Sequence, residues 1–213
     1  MHSMTNIAVL AGGAPSFIPK VYDYYVGVDR GALRLLEEDY PLHLAIGDFD
    51  SVSQTELETI KTKAQFFVQA LAEKDDTDTE LALKEVFSRY PKAQVTVYGA
   101  FGGRIDHFLS NVFLPSLPDL TAYMQQIRLC DAYNNIRYCP AGTHTIVPTE
   151  NEGSLAFLVE GDGILNIRGA KYELTEDNYF IQKVYTSNEF INQPVTLTLD
   201  KGYVIVIESR DWR

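Results

Sequence analysis

The first half of the chain alternates short apolar runs with stretches in which apolar residues recur at helical spacing. Apolar runs of this length predict strands, and the periodic stretches predict helices. Predicted strands cover residues 7–10, 25–28, 42–46, 65–70 and 94–99, and predicted helices cover 32–39, 53–64, 80–87 and 105–114. Alternation of strand and helix favours a parallel sheet with helices on both faces. We therefore expect residues 1–140 to form an α/β domain with a mainly parallel sheet flanked by helices.

In the second half, short strand patterns follow one another with glycine, asparagine and aspartate between them. Predicted strands cover 127–129, 143–147, 154–159, 164–167 and 180–185. The alternating runs 195–199 and 203–207 flank Asp200-Lys201-Gly202, and this order predicts a hairpin. Strands without helices between them favour a small antiparallel sandwich. We assign residues 141–213 to an all-β sandwich domain.

Composition and charge narrow the classes of function. The 213 residues are 46% hydrophobic and carry a formal charge of -11, with no lysine or arginine cluster, so nucleic acid would be repelled. No apolar run reaches the roughly 18 residues of a membrane-spanning helix. Cys130 and Cys139 lack the spacing of a zinc site and fit two reduced cysteines. We expect a soluble, cytoplasmic protein that binds neither nucleic acid nor membrane.

Polar clusters follow four of the predicted strands. These clusters are Asp29-Arg30-Gly31, Asp48 with Asp50, the run 75–78 and the run 99–104. In an open parallel sheet, ligands bind outside the carboxyl ends of the strands. We therefore expect the four clusters to meet at one edge of the sheet.

Asp48 and Asp50 stand two residues apart, directly after the predicted strand 42–46. Crowded carboxylates repel one another, and a divalent cation such as magnesium relieves that repulsion. Taken alone, the pair is equally typical of a solvated acidic turn or of a helix start.

The run 75–78 supplies three more carboxylates within four residues. Thr77 and Glu80 fit a capping box, which accounts for Thr77 without any ligand. The repulsion among the acids calls for compensation by a metal or by Lys74. Together with Asp48 and Asp50, this run predicts a shared magnesium site.

Gly102-Gly103-Arg104 has the form of a phosphate-binding turn. Glycines let backbone amides approach phosphate, and an arginine grips phosphate oxygens with two donors. The spacing matches neither the dinucleotide-binding fingerprint nor the P-loop, so the turn alone is weak support. His107, at the start of the next helix, is equally compatible with a structural histidine.

Four motifs in this order resemble the bacterial type of thiamine pyrophosphokinase (thiamine diphosphokinase) over essentially the whole chain. The motifs are Gly-Asp-Phe-Asp-Ser at 47–51, Lys-Asp-Asp-Thr-Asp-Thr-Glu at 74–80, Gly-Gly-Arg-Ile-Asp-His at 102–107 and Ser-Asn-Glu-Phe at 187–190. The resemblance implies an α/β catalytic domain joined to a thiamine-binding β-sandwich, usually in a homodimer. It also implies magnesium-dependent transfer of pyrophosphate from ATP to the hydroxyethyl oxygen of thiamine, giving thiamine diphosphate and AMP.

The resemblance further implies roles for individual residues. Asp48, Asp50 and Asp75 would hold magnesium, Asp78 would support them or the attacking hydroxyl, and Arg104 would hold phosphate; these five form the implied catalytic set. The implied ATP-binding residues are Asp29, Arg30, Gly31, Ser51, Thr77, Gly102, Gly103, Arg104, Asp106 and His107. Ser187 and Asn188 would line the thiamine pocket, although an ordinary turn explains that segment equally well.

One departure and two alternatives remain. Relatives often carry Asp-Gly-Gly-Ala where this chain has Asp29-Arg30-Gly31-Ala32, so Arg30 either lies along the phosphates or points outward. Asp48-Phe49-Asp50-Ser51 superficially resembles the nucleophile motif of haloacid-dehalogenase-type phosphatases, which normally follows the first strand. A sensor that binds the same ligands without turnover is the non-enzymatic alternative.

Overall fold

The computed structural model describes residues 4–13, 18–71, 75–101, 103–148, 153–179 and 184–210. The chain divides into two compact units, Met1–Ala132 and Tyr133–Arg213. This division lies close to the domain boundary that the sequence predicts near residue 140. Lys74, Gly102 and most of the predicted strand 180–185 lie outside the described residues.

The first unit contains strands and helices in alternation. Its elements are β1 Asn6–Leu10, β2 Tyr24–Val28, α1 Arg30–Glu37, β3 Leu44–Gly47, α2 Gln54–Lys63, β4 Phe66–Gln69, α3 Asp78–Arg89, β5 Gln94–Tyr98, α4 Ile105–Phe113 and β6 Ile127–Cys130. Two short 3-10 helices, Leu114–Ser116 and Thr121–Gln126, lie between α4 and β6. These elements confirm the α/β pattern of the sequence.

The strands of this unit pair in the order β6-β5-β1-β2-β3-β4, and each of these pairings is parallel. The chain moves outward from β1 to β4 and then returns to β5 on the other side of β1. The strand order therefore reverses between β1 and β5, which is where open α/β sheets form their binding crevice.

Small residues allow α1 to pack closely on the first two strands. A Cβ atom on Gly27 would lie 2.2 Å from Cα of Ala32, and one on Gly31 would lie 2.2 Å from the carbonyl oxygen of Leu10. Leu33 and Leu35 of the helix are buried in the core of the unit. Gly31 thus serves the packing of the helix start, which leaves Arg30 on the exposed side.

The second unit is rich in strands. It contains β7 Asn134–Ile146, β8 Ser154–Glu160, β9 Leu165–Arg168, β10 Val184–Glu189 and β11 Val195–Ser209. One end of β11 pairs with β8 and the other end with β9, while β7 pairs along both ends. Buried residues from both ends of β11, including Leu197 and Val206, form one core with Phe157 of β8.

The predicted hairpin at residues 195–207 is wrong. Both runs belong to the single strand β11, and both pair with β7. Between Leu199 and Tyr203 the register shifts, because the partners Gly142 and Pro140 are closer together along β7. Gly202 adopts φ 80°, and a Cβ there would lie 2.2 Å from the carbonyl oxygen of Glu160. The turn sequence therefore forms a bulge in a long strand.

Strand pairing in the chain as a whole is mixed. The pairings of β7, β8, β9, β10 and β11 with one another are antiparallel, in contrast to the first unit. Strand pairing over the chain is therefore mixed and not mainly parallel, because parallel pairing is confined, among the described residues, to the first unit. Across the described ranges, every helix is too short or too polar to cross a membrane.

Candidate active site

Asp29 follows β2 in a backbone conformation that few residues other than glycine adopt. Its φ is 48°, and its amide donates to the carbonyl oxygen of Ile46 at 3.0 Å. The carboxylate Oδ1 accepts a hydrogen bond from the amide of Phe49 at 3.2 Å. A Cβ atom on Gly47 would lie 1.9 Å from this oxygen, so the carboxylate occupies the space that glycine leaves. Contacts with β3 therefore hold Asp29 in place.

Phe49 orients the two acids on either side of it. It also has a positive φ, 59°, and its buried ring stacks on Phe67 with centroids 5.0 Å apart. Asp48 is half-buried and accepts a hydrogen bond from the amide of Asp50 at 3.1 Å, whereas the Asp50 side chain is exposed. The buried aromatic ring therefore anchors a turn whose acidic side chains lie at the end of β3.

Asp78 is the first residue of α3. Thr77 caps this helix, since its side chain accepts from the amide of Glu80 at 3.2 Å. One carboxylate oxygen each from Asp29, Asp48 and Asp78 lie within 4.8 Å of one another, and all three residues are half-buried. We call these residues the strand-end carboxylates. Three hard oxygen donors this close fit a cation such as magnesium or manganese.

The strand-end carboxylates differ from the predicted magnesium ligands. Only Asp48 belongs to both sets, and Asp50 and Asp75 are exposed. Among the described residues, neither of these two joins a group of three or more acids, histidines or cysteines close enough to share an ion. The sequence analysis did not assign Asp29 as a metal ligand, because its φ and its contact with Gly47 arise only when β2 and β3 pair.

The rest of the acidic run is compensated within the protein. Lys84, on α3, lies 2.9 Å from Asp76 and 2.9 Å from Glu80, and 3.0 Å from Asp119. We call these three acids the Lys84 carboxylates. The Glu80 side chain therefore pairs with Lys84. Of the predicted capping box, the structure shows the half in which Thr77 accepts from the Glu80 amide.

Arg104 and Asp106 form an exposed ion pair before and within the first turn of α4. Arg104 Nε donates to Asp106 Oδ1 at 3.1 Å, and the two side chains are 72% and 63% exposed. This hydrogen bond lowers the pKa of Asp106 to about 2. His107 is also exposed, while Gly103 has φ 66° and open space around it. These residues are accessible to a phosphate group.

Arg30 resolves the departure noted in the sequence. It is exposed, and its Nη1 donates to the carbonyl oxygen of Ser51 at 3.0 Å. Arg30 thus links the start of α1 to the turn after β3 and points outward from the packed face of the helix.

A glycine turn after β1 belongs to the same sheet edge, and the sequence analysis assigned it no role. Arg34 Nη1 donates to the carbonyl oxygens of Gly12, at 2.9 Å, and Gly13. The amide of Gly13 donates to the carbonyl oxygen of Gly99 at 3.0 Å. This contact joins the ends of β1 and β5, where the strand order reverses. The glycine pair next to a predicted strand was the available signal.

The second unit has its own open pocket of about 380 Å³, lined by Pro148, Gly153, Ser154, Ser187, Glu189, Phe190 and Asn192. Ser187 is exposed with φ 61°, and the register of β10 shifts between Tyr185 and Asn188. The segment 187–189 is therefore part of an irregular strand and not an ordinary turn.

Asn188 is buried, and its side chain bonds to the backbone. Its Oδ1 accepts from the amide of Tyr172 at 3.0 Å, and its Nδ2 donates to the Tyr172 carbonyl at 2.8 Å. This side chain fastens the segment around Tyr172 to β10. Ser187 and Asn188 thus differ, since only Ser187 lines the pocket.

Comparison with protein families gives two matches. Residues 18–127 match the catalytic domain of thiamin pyrophosphokinase, and residues 143–204 match its vitamin B1 binding domain. Each match lies within one of the two compact units.

Individual relatives align along nearly the whole chain. The thiamine pyrophosphokinase of Bacillus subtilis is 34% identical, with 98% of this chain and 100% of the relative covered. A crystal structure of a thiamin pyrophosphokinase family protein from Enterococcus faecalis is 42% identical with a TM-score of 0.92, covering 98% of this chain and 100% of that one. The crystal structure of the Bacillus subtilis enzyme gives 31% identity and a TM-score of 0.76 over the same shares. The chain belongs to the thiamine pyrophosphokinase family.

Proposed function

We propose that the protein is a magnesium-dependent thiamine diphosphokinase. It transfers the pyrophosphate group of ATP to the hydroxyethyl oxygen of thiamine and releases AMP. The observation that carries this proposal is the convergence of the strand-end carboxylates within 4.8 Å at the carboxyl edge of a parallel sheet. Family membership supplies the reaction, and the carboxylates supply a place for the triphosphate and its cation.

The reaction needs positioning and charge neutralisation more than covalent help from the protein. The hydroxyl oxygen attacks the β-phosphorus, and the bond from that phosphorus to the oxygen bridging to the α-phosphate breaks. The hydroxyl proton leaves to a base, and the released oxygen stays with AMP. Transition states of this kind are stabilised by charges and donors held in advance.

Asp29, Asp48 and Asp78 are the residues that would hold the cation. A bound magnesium ion would neutralise charge on the phosphate oxygens. Asp50 and Asp75, both exposed, stay predicted ligands that would act once the triphosphate is present.

Arg104 supplies the second part of the proposed site. It lies on the surface before α4, and it would exchange Asp106 for a phosphate oxygen when ATP binds. Asp106, His107 and Gly103 flank it and remain predicted ATP contacts. One carboxylate would accept the hydroxyl proton late in the reaction.

In the second unit, we propose that the pocket containing Ser187 receives thiamine and that Asn188 supports its wall through Tyr172. Thiamine is a cation, and the acidic chain suits it electrostatically. The homodimer and the cytoplasmic location stay predictions; sedimentation of the purified protein tests the first.

The decisive experiment supplies the purified protein with magnesium, thiamine and ATP that is radiolabelled at the β-phosphorus. We expect the label in thiamine diphosphate and an equal amount of AMP. Label retained in ADP, with release of the unlabelled γ-phosphate as inorganic phosphate, would favour the phosphatase alternative. Binding of both substrates without any product would favour the sensor.

A further inference from the structure

Lys84 joins three segments of the first unit. Its Nζ contacts the Lys84 carboxylates at 2.9 to 3.0 Å, and its side chain is 25% exposed. An ammonium group has three N–H donors, so each carboxylate receives one. The hydrogen bonds that Lys84 donates to Glu80, Asp76 and Asp119 raise its pKa above 10.5, so it stays charged at neutral pH.

The three acids lie on different segments around the start of α3. Asp76 lies in the segment that enters α3, Glu80 lies in the first turn of that helix, and Asp119 lies between the two 3-10 helices. Asp78 begins α3 only two residues after Asp76. Lys84 therefore fixes the backbone on the approach to Asp78.

We propose that Lys84 is a positioning residue that keeps Asp78 beside Asp29 and Asp48. It ties Asp76 to the body of α3 and to Asp119, and so sets where α3 begins. This inference rests on the proposed cation site. Lys84 lies outside the cation site, and its ion pairs set the position of Asp78 within that site.

Electrostatics alone makes the opposite prediction. Removing a positive charge from the first unit makes the strand-end carboxylates more attractive to a cation, so Mn²⁺ would bind more tightly. If Lys84 positions Asp78, its removal weakens Mn²⁺ binding despite that change in charge. The sign of the effect therefore separates the two explanations.

The test is a Mn²⁺ titration of the nucleotide-free protein, followed by electron paramagnetic resonance. We expect Lys84→Met to weaken binding by about 10-fold to 100-fold, the range found for groups that orient metal ligands. The matched control is Arg89→Met, because Arg89 lies on the same helix and pairs with Glu85. Unchanged or tighter binding by Lys84→Met would overturn the proposal.

Hydrogen exchange of residues 75–80 in the metal-free proteins gives a second reading. We expect faster exchange there in Lys84→Met, with the exchange of β1 and β3 unchanged. If Lys84→Met does not fold, Asp119→Asn carries the test, since Asp119 is 69% exposed and its loss removes one tie. Unchanged exchange in Asp119→Asn would then overturn the proposal.

The two proposals fail in different ways. If the wild-type protein binds no Mn²⁺ while residues 75–80 are protected by Lys84, the cation site is wrong and the ordering role stands. If Asp48→Asn abolishes Mn²⁺ binding and Lys84→Met leaves both binding and exchange unchanged, the cation site stands and the positioning role is wrong.

Discussion

Two groups of three carboxylates lie among the described residues of the first unit, and they differ in how their oxygen atoms are arranged. The Lys84 carboxylates surround an ammonium group at 2.9 to 3.0 Å. The strand-end carboxylates approach one another within 4.8 Å at the ends of β2 and β3 and at the start of α3. The first group stabilises a structure, whereas the second has the form of a ligand site.

Backbone contacts explain how the strand-end carboxylates are held so close together. Amides of Phe49 and Asp50 donate to Asp29 and Asp48, so part of the negative charge is met by fixed dipoles. These donors are backbone amides, whereas the Lys84 carboxylates are oriented by the ammonium group of a side chain.

The largest expected effect comes from removing one strand-end carboxylate. Asp48→Asn keeps the shape of the side chain and removes its charge. We expect a loss of activity of about a thousandfold, the rate equivalent of several kcal/mol of charge stabilisation. The folded protein should lose no stability without metal, because a repulsion is relieved. Activity assays and metal-free thermal melts check both parts.

Asp39→Asn is the control for that substitution. Asp39 is exposed and follows the end of α1, which lies at the opposite edge of the sheet from the start of that helix. Its φ of 57° is one that asparagine also adopts. Equal losses of activity in the two variants would show that the strand-end carboxylates hold no cation needed for the reaction.

Gly47→Ala tests the space on which Asp29 depends. The added Cβ would lie 1.9 Å from the Asp29 carboxylate, at a φ of 150°. We expect a loss of stability of about 1–3 kcal/mol, together with a loss of most activity. Urea unfolding and turnover measure the two effects. Gly142→Ala is the control, since its φ of 135° is similar and its added Cβ would meet only an ordinary contact, His144 Nε2 at 3.6 Å.

Lys84→Met tests how much the Lys84 carboxylates contribute to the stability of the folded protein. Three ion pairs lose their shared cation, and Glu80 is the most buried of the three acids, so we expect a loss of about 1–2 kcal/mol. Arg89→Met breaks a single pair on the same helix and should lose about 0.5 kcal/mol. Urea unfolding of both variants measures the difference. Equal losses would mean that the Lys84 carboxylates gain nothing from sharing one ammonium.

Local patterns allowed the helices to be predicted, because the contacts that start them span a few residues. The helix predicted over 53–64 forms, because Ser53 and Glu56 cap its start with a capping box that spans four residues. The turn sequence at 200–202 was misread because its outcome depends on pairing with β7, far away in the chain.

The site residues, too, could be predicted only as far as local sequence determines their contacts. The sequence placed its acids at one sheet edge, yet it did not show which of them meet. Asp29 reaches the group through its contacts with β3, and Asp76 is compensated by Lys84, eight residues away. In sequence, Asp50 and Asp75 look equivalent to Asp29 and Asp76, but in the structure Asp50 and Asp75 are both exposed.

The smallest expected effect concerns Arg104 and Asp106, a charge pair on the open surface. The hydrogen bond from Arg104 lowers the pKa of Asp106 from 3.8 to about 2. A lowered carboxyl pKa adds stability that is present above the unfolded pKa and is lost as the pH falls through about 2. Because both side chains are exposed, solvent and salt screen this contribution strongly.

Arg104→Met should therefore return the pKa of Asp106 toward 3.8 with almost no change in stability at neutral pH. Nuclear magnetic resonance titration of the Asp106 carboxyl group measures that pKa in both proteins. The same variant should raise KM for ATP, because the arginine that leaves Asp106 is the one proposed to grip phosphate. A restored pKa with unchanged KM would assign Arg104 to this ion pair alone, and phosphate binding would then depend on the glycine turns and the cation. A weak, exposed ion pair allows Arg104 to exchange Asp106 for phosphate. The three ion pairs of Lys84, in contrast, hold its carboxylates in one arrangement.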